Sequence, residues 1–359
     1  MIKNKKLTTL FLIIFMVIAL LGAVIALLYM GNSVGGANDG NGIGGANDII
    51  KPTISEQAKK ELEADKLPGI EHFKDPDWAR NFSLRTKVGN LRTLEFKPSA
   101  EKPLWDIGQN DSKFEIYGSP LVTTDDGGLE YRNEGKLMRL YQDGTDTALR
   151  LEVYGDKEYD RPRQDGEPWP HLLVGTSLGD PATPIVEYTQ LRYSMDVKIN
   201  YCDNKMGDVY DPNRGWCTQT TAYMTLQNLN KESPGYGDYI WFGVPIFDSR
   251  CEFPGAFTLL DEGGKHDATG KIIYVMGDKE FLENNYAGVN PKDGEWAHCT
   301  VNVLPHALTA LKVAQLQGHM KNTKVEDLYL GGFNIGWEVT GTFNCSMDLK
   351  NISLKGITE

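Results

Sequence analysis

Residues 337–349 read WEVTGTFNCSMDL, and their alternation decides the fold class. The odd positions carry Trp337, Val339, Gly341, Phe343, Cys345, Met347 and Leu349; the even ones carry Glu338, Thr340, Thr342, Asn344, Ser346 and Asp348. Successive side chains of an extended strand point to opposite faces, so the pattern predicts one long strand with an apolar and a polar face. The same period recurs on either side. In 191–201 Leu191, Tyr193, Met195, Val197 and Ile199 alternate with polar residues, and in 148–154 Leu149, Leu151 and Val153 alternate with Arg150 and Glu152. Over 239–247 Ile240, Phe242, Val244 and Ile246 supply a core face, which turns Tyr239, Trp241 and Phe247 to the other side. Over 296–303 Ala297, Cys299, Val301 and Val303 oppose Trp296, His298, Thr300 and Asn302. Turn clusters such as 125–128, Asp143-Gly144, Gly263-Gly264 and Gly277-Asp278 separate these runs. The spacing is that of an all-β chain folded as an antiparallel β-sandwich or jelly roll. One short helical insertion is expected over Pro305–His319, with Leu308, Leu311 and Gln315 along one side.

Four segments follow in order. In 1–30, Lys3, Lys5 and Lys6 precede an uncharged apolar run from Leu7 to Met30. Its roughly 24 residues at ~1.5 Å each reach ~36 Å, enough to cross a ~30 Å hydrocarbon core. The lysines favour a cytoplasmic N-terminus, which makes the rest extracytoplasmic. A transmembrane signal anchor is the expectation; a cleaved signal peptide is the alternative, and it would leave a secreted domain. Residues 31–52 repeat Gly-Gly-Ala-Asn-Asp and read as a flexible linker. Residues 53–77 hold a short helix with Ser55 as N-cap and Pro68-Gly69 as its stop. The sandwich is expected over 78–359.

Composition removes some functions. A net charge of −12 argues against a nucleic-acid partner, whose binding needs clustered Lys and Arg. Thirty-eight glycines with 16 tyrosines and 7 tryptophans suit a turn-rich β fold. The five cysteines cannot all pair within one chain. Cys202 and Cys217 bracket a polar loop and are the best disulfide candidate; five reduced, buried thiols are the alternative. No metal cofactor is indicated by C-x-x-C or H-E-x-x-H spacing. Asp203, Asp208 and Asp211 crowd one loop as weak calcium candidates, and a solvated acidic loop is the plainer reading.

Aromatic residues on a non-core sheet face form a platform for sugar rings, with Tyr239 and Trp241 as its centre. A second buried layer is the competing reading of that face. Were strands 239–247, 296–303 and 337–349 in one sheet, Trp241, His298, Asn302 and Glu338 would share a concavity suited to sugar hydroxyls. In 158–174 Arg161, Arg163, Trp169 and His171 either line a cleft or brace a proline-rich loop. Gly175-Thr-Ser-Leu-Gly179 matches a nucleophile elbow in letters only, because the Asp-Pro-Ala-Thr-Pro that follows opens no helix.

The run DLYLGGFNIGWEVTGTFNCSMDLKNISLKGI, with strand 239–247 and the WPHLLV entry, resembles the concanavalin A-like jelly-roll superfamily of carbohydrate-binding modules and glycanases. The resemblance implies the sandwich fold and a glycan partner. It carries no catalytic signature: the E-x-D-x-x-E strand of laminarinase-like hydrolases is missing, since 152–160 reads EVYGDKEYD. The Y-F-K-x-G-x-Y and Q-x-H motifs of the alginate lyase-like members are missing too. The expectation is therefore a membrane-anchored, lectin-like glycan-binding protein at the cell surface. Trp241 and Tyr239 would stack on sugar, with Glu338, His298, Asn302, Arg150, Arg163 and Trp169 around them. A glycoside hydrolase or polysaccharide lyase is the alternative, with Glu338, Glu152 and His298 as candidate catalytic groups. A structural envelope protein is the third reading.

Overall fold

A computed structural model describes residues 55–179, 182–262, 269–277 and 290–358. The expected membrane span and linker lie outside the described residues. Among those described, no helix is long and apolar enough to cross a membrane.

Helix α1 (Glu56–Ala64) opens the chain, capped by Ser55, whose hydroxyl accepts from Ala58 N at 3.0 Å. Strands β1 (Ile70–Glu71), β2 (Phe82–Arg85), β3 (Leu91–Leu94), β4 (Trp105–Gly108), β5 (Leu121–Thr123) and β6 (Leu129–Arg132) follow. Next come β7 (Lys136–Asp143), β8 (Asp146–Tyr154), the single-turn α2 (Gly155–Glu158), β9 (His171–Ser177) and β10 (Gln190–Asn204). Then come β11 (Thr218–Asn228), β12 (Tyr239–Asp248), β13 (Phe257–Leu260), β14 (Ile272–Val275) and β15 (Ala297–Asn302). Helix α3 (Leu304–Leu316), β16 (Leu328–Val339) and β17 (Phe343–Ile357) complete the described elements.

The strands form two sheets. One runs β15-β10-β17-β8-β7-β6-β5 with β1 on β17; the other runs β13-β14-β12-β11-β16-β9-β4-β2-β3. The β-sandwich is as expected, but the nine-stranded sheet is mixed: β2 pairs with β4, and β12 with β14, in parallel. The inner faces interdigitate around Trp337, whose indole N–H donates to Leu151 O at 2.9 Å across the core. At Gly336 the backbone has φ 154°, and a Cβ there would collide with Leu172 O; only glycine lets β16 lie this close to β9. Helix α3 buries small residues, Ala307, Ala310 and Ala314, beside Leu311. Asn302 starts it by accepting from Leu191 N and Leu304 N, so this candidate ligand residue is a structural cap.

Two expectations are corrected. Residues 337–349 are not one strand: Trp337–Val339 ends β16 in the nine-stranded sheet, and Phe343 begins β17 in the eight-stranded one. Both strands send odd residues into the same core, so the alternation runs through the crossing without a break. Phe247 does not face outward. A bulge between Thr220 and Thr221 puts Phe247 opposite inward-facing Thr220, and its ring meets Trp337 edge to face at 5.6 Å.

The segment before Trp78 is fastened to the eight-stranded sheet. Arg192, buried on β10, donates to Asp65 Oδ1 and Glu61 Oε2, each at 2.9 Å. His298 bridges Asp196 Oδ1 at 2.6 Å and Asp65 Oδ2 at 2.9 Å. Burial opposes its charge, but these two carboxylates outweigh that and raise its pKa to about 9. A group raised on folding stabilises fully below its unfolded pKa of 6.5 and loses that contribution as pH rises through about 9. Chemical denaturation between pH 6 and 10 should therefore show a loss on the order of 1–2 kcal/mol, allowing for solvent screening of this partly exposed ring. His298→Gln should flatten that loss; an unchanged profile in the variant would remove His298 as its source.

Candidate functional site

The two outer faces differ. On the eight-stranded sheet, Asp348 accepts from Arg150 Nε at 2.6 Å and from Tyr141 OH at 2.7 Å, with Lys198 Nζ 3.2 Å away. Glu152 accepts from Ser346 at 2.9 Å and from the hydroxyls of Tyr154 and Tyr201 at 2.5 and 3.3 Å. These groups are matched with one another, which leaves little for a ligand.

The outer face of the nine-stranded sheet is open. Register places Gly243, Tyr223, Asn334, Gly175, Asp106 and Ser83 directly across successive strands from β12 to β2. Gly243 carries no side chain, and Thr221 and Tyr223 fill the space a Cβ there would take. Tyr239, Trp241 and Tyr223 rise at one end in edge-to-face contact, with ring centroids 5.7 Å and 6.2 Å apart. All three are half-buried, and the Trp241 indole N–H donates to Thr269 at 3.2 Å. Among the described residues, Tyr239, Trp241 and Tyr223 lie together on this outer face and stay partly exposed.

A parallel row holds Asp248, Gln219, Glu338 and His171 across β12, β11, β16 and β9. Gln219 Nε2 donates to Glu338 Oε2 at 2.9 Å, and His171 Nε2 lies 3.9 Å from Glu338 Oε1. Trp169 Nε1–H donates to His171 Nε2 at 3.1 Å, which leaves His171 Nδ1 buried without a partner. The Glu338 side chain keeps 24 % of its surface exposed, so its carboxylate can meet a ligand. Burial, then the charges of Glu338 and Asp261, hold the Tyr223 hydroxyl above its ordinary pKa. Tyr223 therefore stays a neutral donor or acceptor at the middle of the face. Asp106 is open to solvent above, yet the protein packed around it raises its pKa through desolvation.

Of the expected site residues, Tyr239, Trp241 and Glu338 do share one face, and Trp169 stands beside Glu338 through His171. His298, Asn302, Arg150 and Glu152 belong to the other sheet. The pairing of Glu338 with Glu152 as two catalytic carboxylates is excluded, because the inward neighbours Trp337 and Leu151 meet in the core and the two acids point to opposite outer faces. Arg163 is buried and braces the loop: it donates to Thr340 O at 2.7 Å and to Pro168 O and Glu167 O, and stacks on Trp169 at 5.3 Å. Ser177 ends antiparallel β9 with no helix after it, so no nucleophile elbow forms. Gln219, Tyr223 and Asn334 were missed. Each sits in an alternating strand, and only the register reveals that they meet Glu338 and Trp241.

No disulfide joins Cys202 and Cys217, so the expected bridge is not formed in the structure. Burial pushes their pKa values up to about 12 and about 11, which keeps both protonated. Of the calcium candidates, Asp203 lies 3.5 Å from Lys205, Asp211 caps a turn through Asn213 N, and Asp208 is exposed. Among the described residues no three His, Cys, Asp or Glu side chains converge as a metal site.

No family model and no curated protein matches the chain. Solved structures do resemble it. A native family 12 xyloglucanase from Bacillus licheniformis gives a TM-score of 0.37 at 10 % identity, over 70 % of this chain and 99 % of that one. The xyloglucanase domain of NopAA, a type three effector from Sinorhizobium fredii solved with cellobiose, gives 0.33 at 9 %, over 68 % and 100 %. Endoglucanase cel12A from Rhodothermus marinus gives 0.33 at 7 %, over 69 % and 97 %. At such scores the likeness is one of fold outline, and no residue role passes from them to this chain.

Proposed function

We propose that this protein binds an extended carbohydrate across the outer face of its nine-stranded sheet. One observation carries the reading: three half-buried aromatic rings and a polar Glu338–Gln219 pair lie on the same open face. Aromatic faces take the C–H faces of sugar rings, while a carboxylate and an amide side by side accept from and donate to hydroxyls. The apolar run at 7–30 would hold the domain at the outer surface of its membrane. A glycan array on the chain from Pro52 onward, a compact unit by itself, tests the reading. No signal from any glycan would remove it.

A second reading, a glycoside hydrolase, is favoured by Asp248 and Glu338 flanking Gln219 on one cross-strand row. Two strand spacings of ~4.8 Å put their backbones ~9.6 Å apart, near the ~6.5–9.5 Å carboxyl separation of inverting enzymes. Arg250 donates to Asp248 Oδ2 at 2.6 Å, a charge-assisted contact that fixes the orientation of this carboxylate. Release of reducing ends by the wild type but not by Glu338→Gln would decide for hydrolysis. The third reading, a structural envelope protein, gains ground if the Trp241 face is buried; among the described residues Trp241 is half-buried.

A further inference from the structure

The cross-strand row reaches Asp106 and Ser83. Beyond it, between β2, β4 and the loop after β4, lies an open groove of about 690 Å³. That volume falls within the ~300–1,000 Å³ range of small-molecule sites. Asp106 lines it together with Arg85, Leu91, Gln109 and Asn110, among others. One cross-strand row runs from the groove to the aromatic platform: Asp106 stands opposite Gly175, Gly175 opposite Asn334, and Asn334 opposite Tyr223. The groove also adjoins the Glu338 row, since His171 N donates to Asn110 O at 3.1 Å.

We propose that this groove is a second sugar-binding subsite, taking the far end of a neutral oligosaccharide whose other end stacks on Trp241. The inference rests on the platform reading above and extends it to ligand length and charge.

Three features support it. The charged groups are balanced, with Arg85 and Lys87 offset by Asp106 and Asp111, which suits hydroxyls rather than a charged ligand. Arg85 has only a long 3.5 Å contact to Gly89 O, so its guanidinium is available to a hydroxyl. Gln109 Oε1 accepts from Ile116 N at 3.0 Å, while its Nε2 is buried without a partner, an unmet donor in the groove wall. Exposed Leu91 adds an apolar rim against which a ring face can lie. From Trp241 on β12 to Arg85 on β2 there are five strand steps, or ~24 Å at ~4.8 Å each, beyond the reach of a disaccharide.

Isothermal titration of the full chain, in detergent, with β-1,4-linked gluco-, xylo- and manno-oligosaccharides of two and six units tests this. The six-unit ligand of the preferred series should bind at least about tenfold tighter than the two-unit one. Arg85→Ala and Asp106→Asn should each remove most of that gain and leave the two-unit affinity and the thermal midpoint unchanged. Equal affinities for both lengths, or variants that bind six units as the wild type does, would overturn the subsite while leaving the platform intact. Binding to none of the three series would overturn the platform and the subsite together.

Discussion

Asp348→Ala should destabilise the domain by about 3–5 kcal/mol, the usual cost of removing one partner from a buried ion pair. The carboxylate is 0 % exposed, yet it takes two hydrogen bonds from Arg150 and one from Tyr141 and lies near Lys198. Burial works against its charge; the bonds and charge of Arg150 outweigh burial and hold the pKa below the ordinary value. Truncation leaves two cations and a phenol without their acceptor on a packed face. Equilibrium denaturation measures the loss. A change under ~1 kcal/mol would mean that this face is not organised around Asp348. The linked pH effect has the opposite sign to that of His298. A depressed carboxyl contributes above its unfolded pKa and loses that contribution as pH falls through the folded one.

Trp241→Ala should weaken glycan binding by roughly thirtyfold, about 2 kcal/mol, as for a central aromatic anchor. The ring lies outside the core, its contacts being Tyr223, Tyr239 and Thr269. The melting temperature should therefore stay within a few degrees of the wild type. Affinity and stability move apart only if the side chain serves a ligand. Retained affinity in a well-folded variant would mean that sugars do not stack there.

Alternation made the core legible. Leu149, Leu151 and Val153, Leu191 to Ile199 by twos, and Ile240 to Ile246 by twos are all buried as their period required. Ser55 is the cap that its position before α1 indicated. Period two says which residues point inward, but it does not say to which sheet a strand belongs. That is why His298 and Trp241 read as neighbours and lie on opposite sheets. It is also why Thr340 to Thr342 gave no sign of the crossing. The bulge opposite Phe247 was hidden for a related reason: an extra residue shows only against a partner strand. The candidate site depended on register, and so Trp241 and Glu338 could be named while Tyr223, which packs on Trp241, and Gln219, which bonds Glu338, could not.

The fastening of α1 has a mechanical consequence. Tension applied upstream of Ser55 reaches the sandwich first at Arg192 and His298, which grip the end of the helix through Asp65 and Glu61. It then passes through Glu71, which takes the Ser353 hydroxyl at 2.5 Å and Leu354 N at 2.9 Å. β17 pairs with β10 along its length, with β8 over Asn344–Leu349 and with β1 at Lys355 and Gly356. A pull on this end of the chain thus reaches β17 through β1, a two-residue edge strand, and the Arg192 and His298 contacts to Asp65 and Glu61 must yield before that short ladder carries the load.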